Sequence, residues 1–147
     1  MNESLTKILL DDFPRLFRNR NESSMQLGFE CGDGWFGLIY QLSHDIEAIA
    51  REGGLNPDAP EWPLCRQVKE KMGSLRFVVF AADEHREIYE RIGELRLAAL
   101  NRSLQICEQC GQPGELVTEG YIATLCQERT CHALTERTTP TSNGSPP

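Results

Sequence analysis

The amino-acid sequence predicts an α+β fold: a small antiparallel three-stranded sheet packed against helices, with a separate cysteine-held module at its C-terminal end. Three observations point there. Apolar side chains alternate at period two in short stretches, they recur at helical period in two longer ones, and four of the six cysteines fall after residue 106. The expected organisation is an α+β domain over residues 1–104, the cysteine module over 105–135 and a tail over 136–147.

Ser4 is placed to cap a first helix with Leu5, Ile8, Leu9, Leu16 and Phe17 on one side, and Pro14 should end or kink it near Phe13. Met25, Leu27, Phe29 and Cys31 alternate with Gln26, Gly28 and Glu30, which reads as a strand that Gly32-Asp33-Gly34 stops. From Trp35 the period changes. Trp35, Leu38, Ile39, Leu42, Ile46 and Ile49 make one helical stripe through Arg51, with Asp33 as its expected cap and Gly53-Gly54 as its end.

Pro57, Pro60 and Pro63 mark a loop. Two strands follow, Cys65 to Lys71 and Leu75 to Ala81, joined through Met72-Gly73-Ser74. Phe77 to Phe80 are apolar on both faces, which predicts a central strand covered on both sides. Asp83 is the expected cap of a long helix to Leu104, with Ile88, Ile92, Leu95 and Ala99 inward. Thr138 to Pro147 has nothing to bury and is expected to be disordered.

A chain of 147 residues with net charge -7 and a pI of about 5.0 has the size of about one domain and no basic face of the kind duplex nucleic-acid binders carry. A local concentration of positive charge stands at Arg66, Lys69, Lys71 and Arg76. Most of the net negative charge lies in the first 60 residues. The apolar run Ile8 to Leu10 is too short for an export signal, and no stretch approaches the ~20 apolar residues that span a bilayer. A cytoplasmic, reducing location is therefore expected, where cysteines more often ligate metal than form disulfides.

Cys107-Glu108-Gln109-Cys110-Gly111 has the form of a metal-binding knuckle. Two intervening residues let both sulfurs reach one ion, and the glycine lets the backbone turn so that amides face the thiolates. Fifteen residues separate Cys110 from Cys126, room for a short hairpin with Pro113-Gly114 as a turn and Leu116-Val117 and Ile122 to Thr124 as arms. Cys126 and Cys131 would complete a structural zinc site, making the module zinc-ribbon- or treble-clef-like. Their spacing leaves the fourth ligand open. In a helix beginning at Cys126, position 131 would lie about 140° away. Either the helix starts later, or His132 replaces Cys131, or three protein ligands leave an open, catalytic position. Iron would accept the same four sulfurs.

Other constellations point more weakly to chemistry. His85-Arg86-Glu87 with Cys107 and Cys110 follows the order of zinc deaminases, but Glu84 to Leu104 reads as one helix where those enzymes need a strand, and Cys126 and Cys131 would have no role. Cys31 with His44 and Asp45 nearby could suggest a nucleophile and base, although Cys31 also simply continues the inward face of its strand. Cys65 reads as a small buried group. Glu30, Asp33 and Trp35, and the basic residues Arg66, Lys69, Lys71 and Arg76, are candidate interaction residues.

Three blocks carry a resemblance: Gly28-Phe29-Glu30-Cys31-Gly32-Asp33-Gly34-Trp35, Val68 to Phe77 (VKEKMGSLRF), and Ile106 to Gly111 with Pro113-Gly114 and Thr124-Leu125-Cys126. Together they make the chain resemble a group of small uncharacterised proteins of bacteriophages, prophages and related bacterial chromosomes, over about Pro14 to Cys126. In that group a histidine usually stands three residues after the third cysteine. Arg129 stands there in this chain, leaving Cys131 or His132 as substitutes. The resemblance implies an inhibitor or adaptor acting on a host protein, including a counter-defence role. The combined expectation is a non-enzymatic, zinc-stabilised interaction protein whose acidic N-terminal half meets a basic protein surface. A nucleic-acid-associated accessory protein and a zinc-dependent hydrolase or deaminase are the alternatives.

Overall fold

A computed structural model describes residues 1–80 and 82–136. Ala81, the expected end of the second hairpin strand, and the tail from residue 137 lie outside the described residues.

Helix α1 spans Glu3–Asp12 and is capped by Asn2, not Ser4: the Asn2 side chain accepts from the Leu5 amide at 2.9 Å. Pro14 cannot continue the helix, and Leu16 and Phe17 enter the core from the turn that follows. The period-two stretch after it is only partly a strand. Ser24–Leu27 is a 3-10 turn that leaves Leu27 exposed, Gly28 reverses the chain at φ 76°, and β1 is confined to Phe29–Glu30. Met25, Phe29 and Cys31 are nevertheless buried, so three of the four alternating apolar residues face the core although Leu27 does not and most of the stretch is not a strand.

A 3-10 turn at Asp33–Trp35 leads into α2, Phe36–Glu52. Asp33 does not cap it. Its carboxylate instead receives the backbone and side-chain N–H groups of Asn2, at 2.7 and 2.8 Å, tying the start of α1 to this turn. After α2, the Arg18 guanidinium gathers the proline loop by donating to the carbonyls of Pro60, Trp62 and Pro63. Trp62 is buried there, with its indole N–H on Glu47.

The sheet is mixed and not antiparallel throughout. β2 (Leu64–Lys71) pairs antiparallel with β3 (Ser74–Phe80) across the tight turn at Met72-Gly73, both of positive φ. β1 pairs parallel with β2, Phe29 opposite Val68 and Glu30 opposite Lys69. The reason is connectivity: α2 carries the chain back along the sheet before β2 begins, so β1 and β2 must run the same way. The strand order β1-β2-β3 makes β2 central and β3 an edge strand, contrary to expectation. Only one face of β3 is in the core, through Leu75, Phe77 and Val79, while Phe80 is 50% exposed under the Arg66 guanidinium, 4.9 Å from its ring.

The exposed backbone edge of β3 is partly closed by α3 (Arg86–Ser103). The buried Ser103 hydroxyl accepts from the Leu75 amide at 2.8 Å, and Arg96 donates to the Phe77 carbonyl at 2.6 Å. Asp83 makes no capping bond; a 3-10 turn at Asp83–His85 precedes the helix. Ile88, Ile92 and Ala99 are buried as expected, and Leu95 packs half-buried against the same core. Among the described residues no helix is long and apolar enough to cross a membrane.

Candidate metal centre

The C-terminal module has its own small core of Cys107, Ala123, Leu125, Cys126 and Cys131. A bridge between Ile106 and Pro113 closes the knuckle at its base, and inside it the Cys107 amide donates to Gln112 O and the Gly111 amide to Cys107 O, at 2.7 and 2.9 Å. Gly111 adopts φ 77°, which a side chain would resist. This turn aims the amides of Gln109 and Cys110, and that of Cys126 opposite, at the Cys107 sulfur, while the Gln112 amide faces the Cys110 sulfur. Strands β4 (Glu115–Val117) and β5 (Ala123–Leu125) form the hairpin that delivers Cys126, and α4 (Arg129–Glu136) carries Cys131 in its first turn.

The helix therefore starts three residues beyond Cys126, which answers the spacing problem. Gln127 and Glu128 turn the chain, the Cys131 amide closes on Glu128 O at 3.1 Å, and the sulfur comes round to the other three. His132 is not in the cluster: its Nε2 lies 2.8 Å from the Cys126 carbonyl.

The four sulfurs of Cys107, Cys110, Cys126 and Cys131 all lie within 4.8 Å of one another, and those of Cys110 and Cys126 are 3.6 Å apart. Metal–sulfur bonds of about 2.3 Å in a tetrahedron require sulfurs about 3.8 Å apart. The donor set thus fits one tetrahedral metal ion. Electrostatics agree. Burial pushes the Cys107 thiol up, but the amides of Cys126, Cys110 and Gln109 outweigh it and bring it down to about 7. The Cys131 thiol is held above its ordinary value by burial and by the neighbouring thiols, a repulsion that a divalent cation removes.

The other two cysteines differ in kind. Burial pushes Cys31 up to about 12 and Cys65 higher still, so neither has the thiolate character of a nucleophile. His44 sits 3.2 Å from its neighbour Asp45 on α2, both outside the core. Neither His85 nor Glu87 joins the cysteine cluster, which leaves the deaminase order of residues without its geometry.

What the metal module touches was not legible in advance. The Gly32-Asp33-Gly34-Trp35 turn is its cradle. Gly32 donates to the buried Glu108 carboxylate at 2.9 Å, Gly34 to the Glu108 carbonyl at 2.7 Å, and the Trp35 indole to Ile106 O at 2.9 Å. A methyl group at Gly32 or Gly34 would collide with the knuckle backbone, at 2.9 Å from the Glu108 carbonyl carbon and 2.6 Å from its oxygen respectively. The β2–β3 turn docks on the opposite side. Thr124 donates to Gly73 O at 2.6 Å, Tyr121 to the Glu70 carboxylate at 2.7 Å, and the Glu108 amide to Thr124 O at 2.9 Å.

The candidate interaction residues separate accordingly. Trp35 is fully buried, with its N–H spent on the knuckle, and so offers no recognition surface. Asp33 is exposed but engaged by Asn2. Glu30 is exposed at the edge of the sheet, beside Lys69. Arg66, Lys71 and Arg76 are exposed and Lys69 half-buried. Compared with known proteins, the chain matches no family model, and neither a curated protein nor a solved structure shows significant similarity to it.

Proposed function

We propose that this protein is a non-enzymatic interaction protein whose α+β domain is braced by a structural zinc ion on Cys107, Cys110, Cys126 and Cys131. The observation that carries the reading is the convergence of four cysteine sulfurs within 4.8 Å. Four thiolates fill a tetrahedral shell, whereas catalytic zinc keeps one position for water or substrate. The knuckle is also built into the domain through backbone contacts at Gly32 and Gly34, which suits a brace better than a site that must admit substrate. The resemblance to phage and prophage proteins adds a host protein as the partner, with inhibition or adaptation as the outcome.

X-ray absorption on the reduced, purified protein tests this reading. The expected spectrum has a zinc edge and a first shell of four sulfurs at about 2.3 Å. A shell of three sulfurs with an oxygen or nitrogen neighbour would overturn the structural role, and an iron edge would overturn the choice of metal.

A further inference from the structure

The sheet has one face in the core and one away from it. Leu75, Phe77 and Val79 of β3 and Val68 of β2 point inward, and the alternate positions Lys69, Lys71, Arg76, Val78 and Phe80 point outward, with Arg66 exposed above Phe80. Beside this outer face, between β3 and α3, runs a groove of about 650 Å³ lined by Lys71, Met72, Arg76, Val78, Arg96 and Leu97, among others. Met72 and Leu97 are 62% and 60% exposed, unusually bare for large apolar side chains so close together.

The charge of this region sets it apart from the rest of an acidic protein. Of the cations elsewhere among the described residues, Lys7, Arg15, Arg51, Arg86 and Arg91 each pair with a carboxylate, Arg18 is spent on backbone carbonyls, and Arg20, Arg102 and Arg129 stand singly without an ion pair. Among the described residues Arg66, Lys69, Lys71, Arg76 and Arg96 have no such ion pair. Glu30 stands opposite Lys69 in the strand register, and Glu70, between Lys69 and Lys71 on β2, turns its carboxylate to the Gly73 amide and the Tyr121 hydroxyl. No carboxylate lines the groove.

We propose that this groove and the adjoining sheet face dock an acidic, apolar segment of a partner protein, its carboxylates meeting Lys71, Arg76 and Arg96 and its apolar side chains covering Met72, Val78 and Leu97. Charge complementarity selects that occupant. Residues 137–147 of the chain itself contain an arginine and no acid, and do not complement the groove. A nucleic acid would approach a molecule of net charge -7, and Phe80, the exposed ring on this face, already lies under Arg66. Docking proceeds through side chains and not by adding a strand, because Ser103 and Arg96 already occupy the Leu75 amide and the Phe77 carbonyl on the outer edge of β3.

This inference rests on the interaction-protein reading and supplies the chemistry of the partner. The test selects a displayed library of random peptides on the metal-loaded full-length protein, then measures the selected peptides against the double variant Lys71→Glu/Arg76→Glu and the control Arg86→Glu. The expected consensus places Asp or Glu beside Leu, Ile, Met or Phe, and its affinity falls about tenfold or more in the double variant but not in the control. A neutral or basic consensus, equal binding to the double variant, or no selected peptide would overturn the proposal. So would tighter binding of a mixed-sequence single-stranded oligonucleotide, or a dimer of this chain that the same charge reversal dissolves. The two readings fail separately. An oxygen-ligated metal sinks the structural-zinc reading and leaves the groove result standing, whereas a four-sulfur metal with a non-acidic consensus sinks only the groove.

Discussion

Cys107→Ser is expected to release the metal and unfold residues 105–136 while α1, α2 and the β2–β3 hairpin persist in a weakened domain. The module is too small to hold itself: its buried cluster is Cys107, Ala123, Leu125, Cys126 and Cys131, three of which belong to the four-sulfur cluster that could hold a metal ion. Structural zinc contributes roughly 10–16 kcal/mol of apparent binding free energy in modules of this kind, comparable with the roughly 5–15 kcal/mol that holds a whole domain folded. Exchanging that sulfur for a neutral hydroxyl also replaces the thiolate that the amides facing Cys107 stabilise by a weaker acceptor. The domain then loses three hydrogen bonds to the knuckle, from Gly32, Gly34 and Trp35, each contributing about 1 kcal/mol. Metal content by mass spectrometry and limited proteolysis should show zero metal and cleavage within 105–136. Cys65→Ala is the contrasting variant. That buried thiol lies outside the cluster, so the variant should keep its full complement of metal and lose stability alone.

Gly34→Ala is expected to be the most damaging single methyl group in the chain. The added carbon would press on the backbone of Cys107, Glu108 and Gly111 together, and backbone atoms in a closed turn cannot swing aside as a flexible side chain can. Overpacking against a rigid wall costs about 1–3 kcal/mol and sometimes more, and here relief requires separating the knuckle from the domain. The expected loss is about 3 kcal/mol or more in urea unfolding, with weakened retention of metal against a chelator. Three residues later the same substitution should help. Gly37 lies in α2 with open space where its side chain would go, so Gly37→Ala should raise stability by roughly 0.5–1 kcal/mol. Opposite signs at two neighbouring glycines would show that Gly34 is reserved for a backbone contact and not for helix initiation.

Much of the architecture could be read from residue pattern. Both long helices follow from their apolar stripes, the β2–β3 hairpin from two strand-like runs joined through Met72-Gly73-Ser74, and the cysteine cluster from the knuckle. Other features depend on information that pattern does not carry. Most of the alternation from Met25 to Cys31 is also satisfied by a 3-10 turn, a glycine reversal and a two-residue strand, which bury Met25, Phe29 and Cys31 and turn only Leu27 outward. Strand order is set by tertiary connection, so the apolar run at Phe77 to Phe80 could not reveal that β3 lies at an edge with Arg66 covering Phe80. The choice between Cys131 and His132 turned on where α4 begins, a matter of three residues.

The largest gap concerns how the three distinctive blocks relate. Gly28 to Trp35, Val68 to Phe77 and Ile106 to Cys126 each looked like a separate feature, the first read mainly as a strand-to-helix turn with Glu30, Asp33 and Trp35 as candidate interaction residues. In the fold they meet at one junction: Gly32 and Gly34 against Glu108 of the knuckle, Gly73 against Thr124, and the Glu108 amide bonded to the Thr124 carbonyl between them. The signal was available in the glycines, since small residues in otherwise well-patterned segments mark places where backbone meets backbone. Which backbone each one meets is a long-range fact, more than 70 residues away for Gly32 and Gly34, and local periodicity has no access to it.

Hydrogen exchange at the Gly32 and Gly34 amides, with metal bound and after chelation under reducing conditions, tests the brace most directly. With metal bound both amides should be protected to the level of α2. On chelation they should lose protection together with the knuckle amides of Cys107 and Gly111, while the interior of α2 keeps most of its own. Unchanged protection of Gly32 and Gly34 in the metal-free protein would contradict a cation-dependent brace between the module and the domain.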